Sequence, residues 1–206
     1  MTSISIGHQP TTEKREAYIA SFLGHAPEID GTAFLAATAA IIGAVRIGKE
    51  SSVWHQVTIR GDNNYVTIGD GTNIQDNSCI HIDSRKFPTR IGNGVTIGHS
   101  AIIHACEIGD YGFVGMGAIV MDGCVIEPTG MLAAGAMLTP GKRIPAGELW
   151  AGRPAKKMRD LRDDELAFNV ESAAHYIEVA RAHRIGEDGG PFHRMNVRPL
   201  PTVKDE

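Results

Sequence analysis

The chain has 206 residues, 42% of them hydrophobic and 21% charged, with a formal net charge of −4. That length can bury a core in one domain, and the slight acidity argues against a nucleic-acid or anionic-membrane partner. No apolar run reaches the roughly 18 residues that a membrane span needs, so neither a membrane nor a nucleic acid is expected as a partner.

Residues 1–16 are polar, with no basic stretch leading into an apolar one, and read as an N-terminal arm without a secretory signal. The cysteines, Cys79, Cys106 and Cys124, are odd in number and lack CxxC spacing. They read as small buried thiols in a reducing compartment, which with the missing signal points to the cytoplasm.

Residues 17–158 hold a repeat. Aliphatic residues recur every six positions at Ile29, Leu35, Ile41, Ile47, Val53 and Ile59. After a three-residue insertion they continue at Ile68, Ile74 and Ile80, and after a five-residue insertion at Ile91, Ile97 and Ile103. A one-residue deletion then leads to Ile108, Val114, Val120, Ile126, Leu132, Leu138 and Ile144. A period of six matches no helix. Short strands that turn a corner every six residues do fit it, with the aliphatic side chain pointing inward. Three hexads make one triangular coil, and coils stack as parallel β-structure about 4.8 Å apart. The segment 148–159 closes the prism, since Pro154 bars a continuing ladder bond. Leu166, Val170, Ala173, Ile177 and Ala180 then recur at helical spacing, which predicts an amphipathic helix over 159–186. Glycines 186, 189 and 190 end it, and 187–206 form a tail.

Counting hexads places the polar residues. Hexads three apart share a face, one coil higher, so Arg60, His81 and His104 form one vertical column. The two histidines sit on adjacent rungs, about 4.8 Å apart, close enough for both rings to reach one metal ion. A different column holds His55, Asp76, His99 and Met116, round a corner from the pair. One chain therefore does not bring the three histidines together, whereas a closed threefold ring does. The expectation is a homotrimer with a site at each seam. Three histidines with a fourth position open are the pattern of a catalytic zinc. His55 lies roughly two rungs from His99, about 9.6 Å, and reads as structural. His8, His25, His175, His183 and His193 fall outside the patch.

The runs VTIRGDNN, NIQDNSCIH and IGHSAIIH resemble the γ-class carbonic anhydrases and their bacterial relatives within the hexapeptide-repeat family. The resemblance covers roughly residues 25–180. It implies an all-β solenoid, a left-handed parallel β-helix with a C-terminal α-helix; the general rule for parallel crossovers alone would have given the right-handed form. It implies that His81, His99 and His104 bind zinc, for which iron or cobalt can substitute, with His99 donated across the interface. By the same resemblance Arg60 and Asp62 support the interface and site, Asn73 and Gln75 hydrogen-bond near the metal-bound water, Asp76 is a further polar position, and Tyr176 reaches in from the helix. The implied reaction is reversible hydration of CO2 to bicarbonate by a zinc-bound hydroxide.

The residues leave alternatives open. Arg60 forms either a plain interface ion pair, with Asp62 or Asp76, or a catalytic contact. Gln75 either orients the hydroxide or bonds a neighbouring coil, and Tyr176 reads equally as an ordinary helix tyrosine. The insertion Ile82–Arg90 is basic and carries no glutamate, nor does Asn63-Asn64 after Asp62, so the acid that founding members use to export a proton is missing. Two other functions remain: a hexapeptide-repeat acyl- or acetyltransferase, suggested by WAGRPAKKMR, and a low-activity metal-binding relative, thioesterase-like or accessory.

Overall fold

Each six-residue step becomes one short strand and one corner. The computed structural model describes residues 16–185. The N-terminal arm expected over 1–16 falls, but for Glu16, outside the described residues, as do the tail expected over 187–206 and the helix-ending glycines. From Ile41 to Ile144 every hexad aliphatic is at most 3% exposed, and Ile29 and Leu35 are half-buried at the lower end. Corners turn at residues with left-handed backbone, among them Gln56, Asn77 and Ser100, at φ of 59°, 63° and 58°.

The prism has three faces. One carries the strands Ala40–Ile47, Thr58–Ile68, Cys79–His81, Ile102–His104, Ile119–Val120 and Met137–Leu138, paired in parallel. The strands Ala40–Ile47 and Thr58–Ile68 continue across a corner onto the second face. That face adds Thr89–Ile91, Glu107–Ile108, Val125–Ile126 and Arg143–Ile144. The third face is an eight-stranded sheet from Phe34–Leu35 through Asn73–Ile74 and Thr96–Ile97 to Glu148–Ala151, where Lys156–Asp160 pairs antiparallel. That reversal ends the parallel stacking, and Pro154, after a cis peptide bond, sits in its turn. The coil is left-handed, as in hexapeptide-repeat proteins.

The helix Asp163–Ile185 lies along the third face. Asp163, Asp164 and Glu165 occupy its first turn, where the helix dipole favours negative charge. Glu165 takes both arms of Arg159, at 2.6 and 2.7 Å, and the backbone N–H of Arg162. These bonds hold its carboxyl down at about 2.

Three expectations change, the first being the start of the helix: residues 159 and 160, expected in it, belong to the strand Lys156–Asp160, and the helix begins at Asp163. Val170 is 47% exposed, while Asn169 is buried in its stead and donates to the carbonyls of Tyr111 and Thr129. The helix thus meets corner backbone that offers acceptors, and a polar side chain suits it better than an apolar one. Of the three free thiols, Cys106 and Cys124 are buried but Cys79 is exposed, because it precedes the inward Ile80 and so points outward.

Candidate metal centre

The first face brings the histidine pair together. His104 is in register with His81 on the next rung. The ring centroids are 5.3 Å apart, and Nδ1 of His81 lies 3.3 Å from Nε2 of His104. Each ring turns its other nitrogen to a carboxylate. Nε2 of His81 is 3.3 Å from Oδ1 of Asp62, and Nδ1 of His104 bonds Asp122 from the rung above. Asp62 also binds the Arg60 guanidinium through Oδ2. The backbone supports this arrangement at Gly61, where a Cβ would lie 2.5 Å from the carbonyl oxygen of Ala44. Only glycine lets the strand pass so close while carrying Arg60 and Asp62 on either side of it.

Electrostatics favour a neutral His81 and an ionised Asp62 here. Burial, and after it the charge of Arg60, lower the proton affinity of His81. Burial opposes ionisation of Asp62, yet the bond to His81 and the charge of Arg60 outweigh it and hold that carboxyl below its usual range.

A second group stands at a different edge. His99 follows Gly98 and precedes the corner residue Ser100; its Nδ1 is 3.0 Å from Oδ2 of Asp76, and its side chain is 44% exposed. Asn73 and Gln75 are buried on the third face. Gln75 Nε2 donates to Asn73 Oδ1 at 3.1 Å, Asn73 Nδ2 donates to Thr96 Oγ1 at 2.9 Å, and Thr96 Oγ1 meets Ser172 Oγ of the helix at 3.1 Å. Tyr176 packs edge-on against Trp54, with centroids 5.8 Å apart. Burial, and then the charge of Asp76, push its hydroxyl up. His55 bonds Thr38.

The structure therefore joins His81, His104, Asp62 and Arg60 in one group, and places His99 with Asp76, and Gln75 with Asn73, round the corner. Among the described residues no single-chain cluster of three metal-binding side chains exists. Within the chain, Arg60 pairs with Asp62. Three contributors escaped the sequence reading. Asp122 follows Val120 by two positions, so hexad counting stacks it over Ala105 and not over His104. Thr96 and Ser172 join through a helix whose rotation the periodicity did not give.

A triangular coil of hexads with histidines on consecutive rungs defines a hexapeptide-repeat left-handed β-helix protein. No family model matches the chain. It is 47% identical over 190 residues to the mitochondrial gamma carbonic anhydrase 1 of Arabidopsis thaliana, covering 88% of this chain and 69% of that one. It is 37% identical over 163 residues to a carbonic anhydrase of Geobacillus kaustophilus, covering 79% and 89%. Among solved structures, a hexapeptide transferase family protein from Anaplasma phagocytophilum superposes with a TM-score of 0.78 at 49% identity, covering 82% of this chain and 98% of that one. The chain belongs to the γ-class carbonic anhydrase family.

Proposed function

We propose that this protein is a metal-dependent carbonic anhydrase that interconverts CO2 and bicarbonate at centres shared between the subunits of a homotrimer. The observation that carries the reading is the facing pair of ring nitrogens. A carboxylate only accepts hydrogen bonds, so Asp62 and Asp122 call for the proton on the outer nitrogen of each ring. In the neutral rings the inner nitrogens, Nδ1 of His81 and Nε2 of His104, are then both bare and face each other at 3.3 Å. Two lone pairs that close repel one another, and a cation between them removes that repulsion. Two ligands of a tetrahedral zinc at about 2.0–2.1 Å stand about 3.3–3.4 Å apart, so the donor type and spacing fit that ion.

His81 and His104 would hold the metal from one subunit and His99 from the neighbouring copy. Asp62, Asp76 and Asp122 each orient one ring, the outer carboxylates that metal-binding histidines need. Zinc in such a seat, with iron or cobalt as substitutes, supplies the Lewis acidity that brings the ionisation of water to about pH 7.

The chain's other residues bind and orient. Gln75 spends its amide N–H on Asn73, which leaves its Oε1 as an acceptor for a water proton. Arg60 keeps Asp62 ionised. Tyr176 stays protonated at neutral pH and can donate. The insertion beside His81 offers a poor proton carrier: Oδ1 of Asp83 accepts the backbone N–H groups of Arg85 and Lys86, and these bonds hold its carboxyl below the usual range. The proton released in hydration therefore leaves by way of buffer. An acyltransferase base needs one histidine, and the paired rings with their separate carboxylates exceed that need.

No helix among the described residues is long and apolar enough to cross a membrane. The exposed Cys79 thiol suits a reducing compartment, consistent with residence in the cytoplasm.

Metal analysis with stopped-flow CO2 hydration tests the reading. The expected result is bound metal, hydration that rises with buffer concentration, and loss of both in His81→Ala. A preparation that binds no metal, or a His81→Ala chain of unchanged activity, sinks it.

A further inference from the structure

The contact between His81 and His104 has two possible forms, and the structure points to the residue that chooses between them. If both rings carry their protons on the outer nitrogens, the inner nitrogens are bare. If His104 instead carries its proton on Nε2, that N–H points at Nδ1 of His81, and the two rings bond one another. The second form fills the space that a cation would occupy.

For His81 the choice is constrained twice. Asp62 lies at its Nε2, and Arg60 bonds the other carboxylate oxygen, fixing Asp62 in place. For His104 the choice rests on Asp122, whose Oδ1 bonds Nδ1 of the ring. No residue of the first column makes this bond. It comes from the rung above, past Ala105, whose left-handed backbone at φ 49° turns the chain immediately after His104. The competition is uneven. A charge-assisted bond to a carboxylate is about twice as strong as a neutral one, and the alternative ring-to-ring contact, at 3.3 Å, is longer than an ordinary N–H bond. With Asp122 present the outer bond wins. Without it, no other hydrogen-bond partner of His104 Nδ1 stands among the described residues to oppose the ring-to-ring bond.

We propose that Asp122 is the positioning residue that holds the histidine pair open: by accepting the Nδ1 proton of His104 it stops that ring from donating to His81 and leaves both inner nitrogens free for a cation. The proposal rests on the reading of the pair as metal ligands, but the tautomer it assigns belongs to the metal-free protein and is measured there.

The test uses the full chain, labelled with 15N at histidine, stripped of metal and held near pH 8, with His104→Gln used to assign the ring signals. In the wild type the proton of His104 resides on Nδ1. In Asp122→Ala it moves to Nε2, and zinc competition against a chelator shows affinity lower by about 10–100-fold. Asp122→Asn keeps an acceptor oxygen, so it retains the Nδ1 proton and loses less affinity than the alanine variant. If Asp122→Ala fails to assemble, the asparagine variant and the wild type still decide the assignment. A wild-type His104 protonated on Nε2 overturns the proposal, as does an Asp122→Ala chain with wild-type tautomer and zinc affinity. A wild type with the Nδ1 proton in place and no zinc binding refutes the carbonic anhydrase reading instead, and leaves the tautomer assignment standing.

Discussion

The buried polar chain from Gln75 to the helix makes the sharpest stability prediction. Thr96 is 2% exposed and Asn73 is 0% exposed. The Thr96 hydroxyl accepts from Asn73 Nδ2 at 2.9 Å and meets Ser172 Oγ at 3.1 Å. Thr96→Val keeps the shape of the side chain and removes that oxygen. Asn73 Nδ2 is then left with the carbonyl of Val95 at 3.4 Å, at the outer edge of a hydrogen bond. Ser172 is half-buried and recovers a partner from water. One buried donor is thus stranded, at a cost of about 1–3 kcal/mol. Ser172→Ala strands nothing in the core, because the bond between Asn73 and Thr96 survives, and should cost about 0.5–1.5 kcal/mol. Urea unfolding at one fixed protein concentration, followed by circular dichroism, measures both, since the proposed assembly would make apparent stability concentration-dependent. The same Thr96→Val chain should lose CO2 hydration, as Asn73 no longer fixes the Gln75 amide. A Thr96→Val protein no less stable than Ser172→Ala would refute the reasoning.

Gly98, next to His99, has no room for a side chain: a Cβ would meet the backbone nitrogen of Met116 at 2.7 Å. Gly98→Ala is expected to cost about 1–3 kcal/mol by overpacking and to lower bound metal, read by unfolding and metal analysis; unchanged metal content would show that His99 tolerates displacement. For acid stability, Glu165 titrates in the folded state at about 2, against an ordinary value of 4.5. A depressed carboxylate contributes stability that is fully present above its unfolded value and is lost as pH falls toward its folded one. The stability gap between the wild type and Glu165→Gln should therefore be constant above about pH 5.5 and close between 4.5 and about 2, and a gap that widens there would contradict the sign.

Most of this architecture follows from one spacing. The step of six, with its two insertions and one deletion, predicts which strands pair, and the register of Ile80 with Ile103 and of His81 with His104 is the counted one. Counting works because each rung repeats the same backbone, so sequence separation maps directly onto height. It fails at corners, where Asp122 reaches a ring that its own column does not contain, and at the helix, where spacing alone chose Val170 over Asn169 for the inward side. Those outcomes depend on where backbone carbonyls and neighbouring side chains stand, and no periodicity encodes that. The exposure of Cys79 was legible from the alternation about Ile80, yet composition alone had suggested burial.

The central claim is that a metal centre takes two histidines from one subunit and one from the next, and hybrid trimers test it most directly. His81→Ala and His99→Ala chains, each expected to bind almost no metal alone, are unfolded together in equal amounts and reassembled. A seam is complete only where an intact His81/His104 pair meets an intact His99, which random closure of the ring produces at about one seam in four. The account predicts recovery of about a quarter of the wild-type metal and hydration activity. No recovery in the mixture, or full metal in His99→Ala by itself, would contradict it.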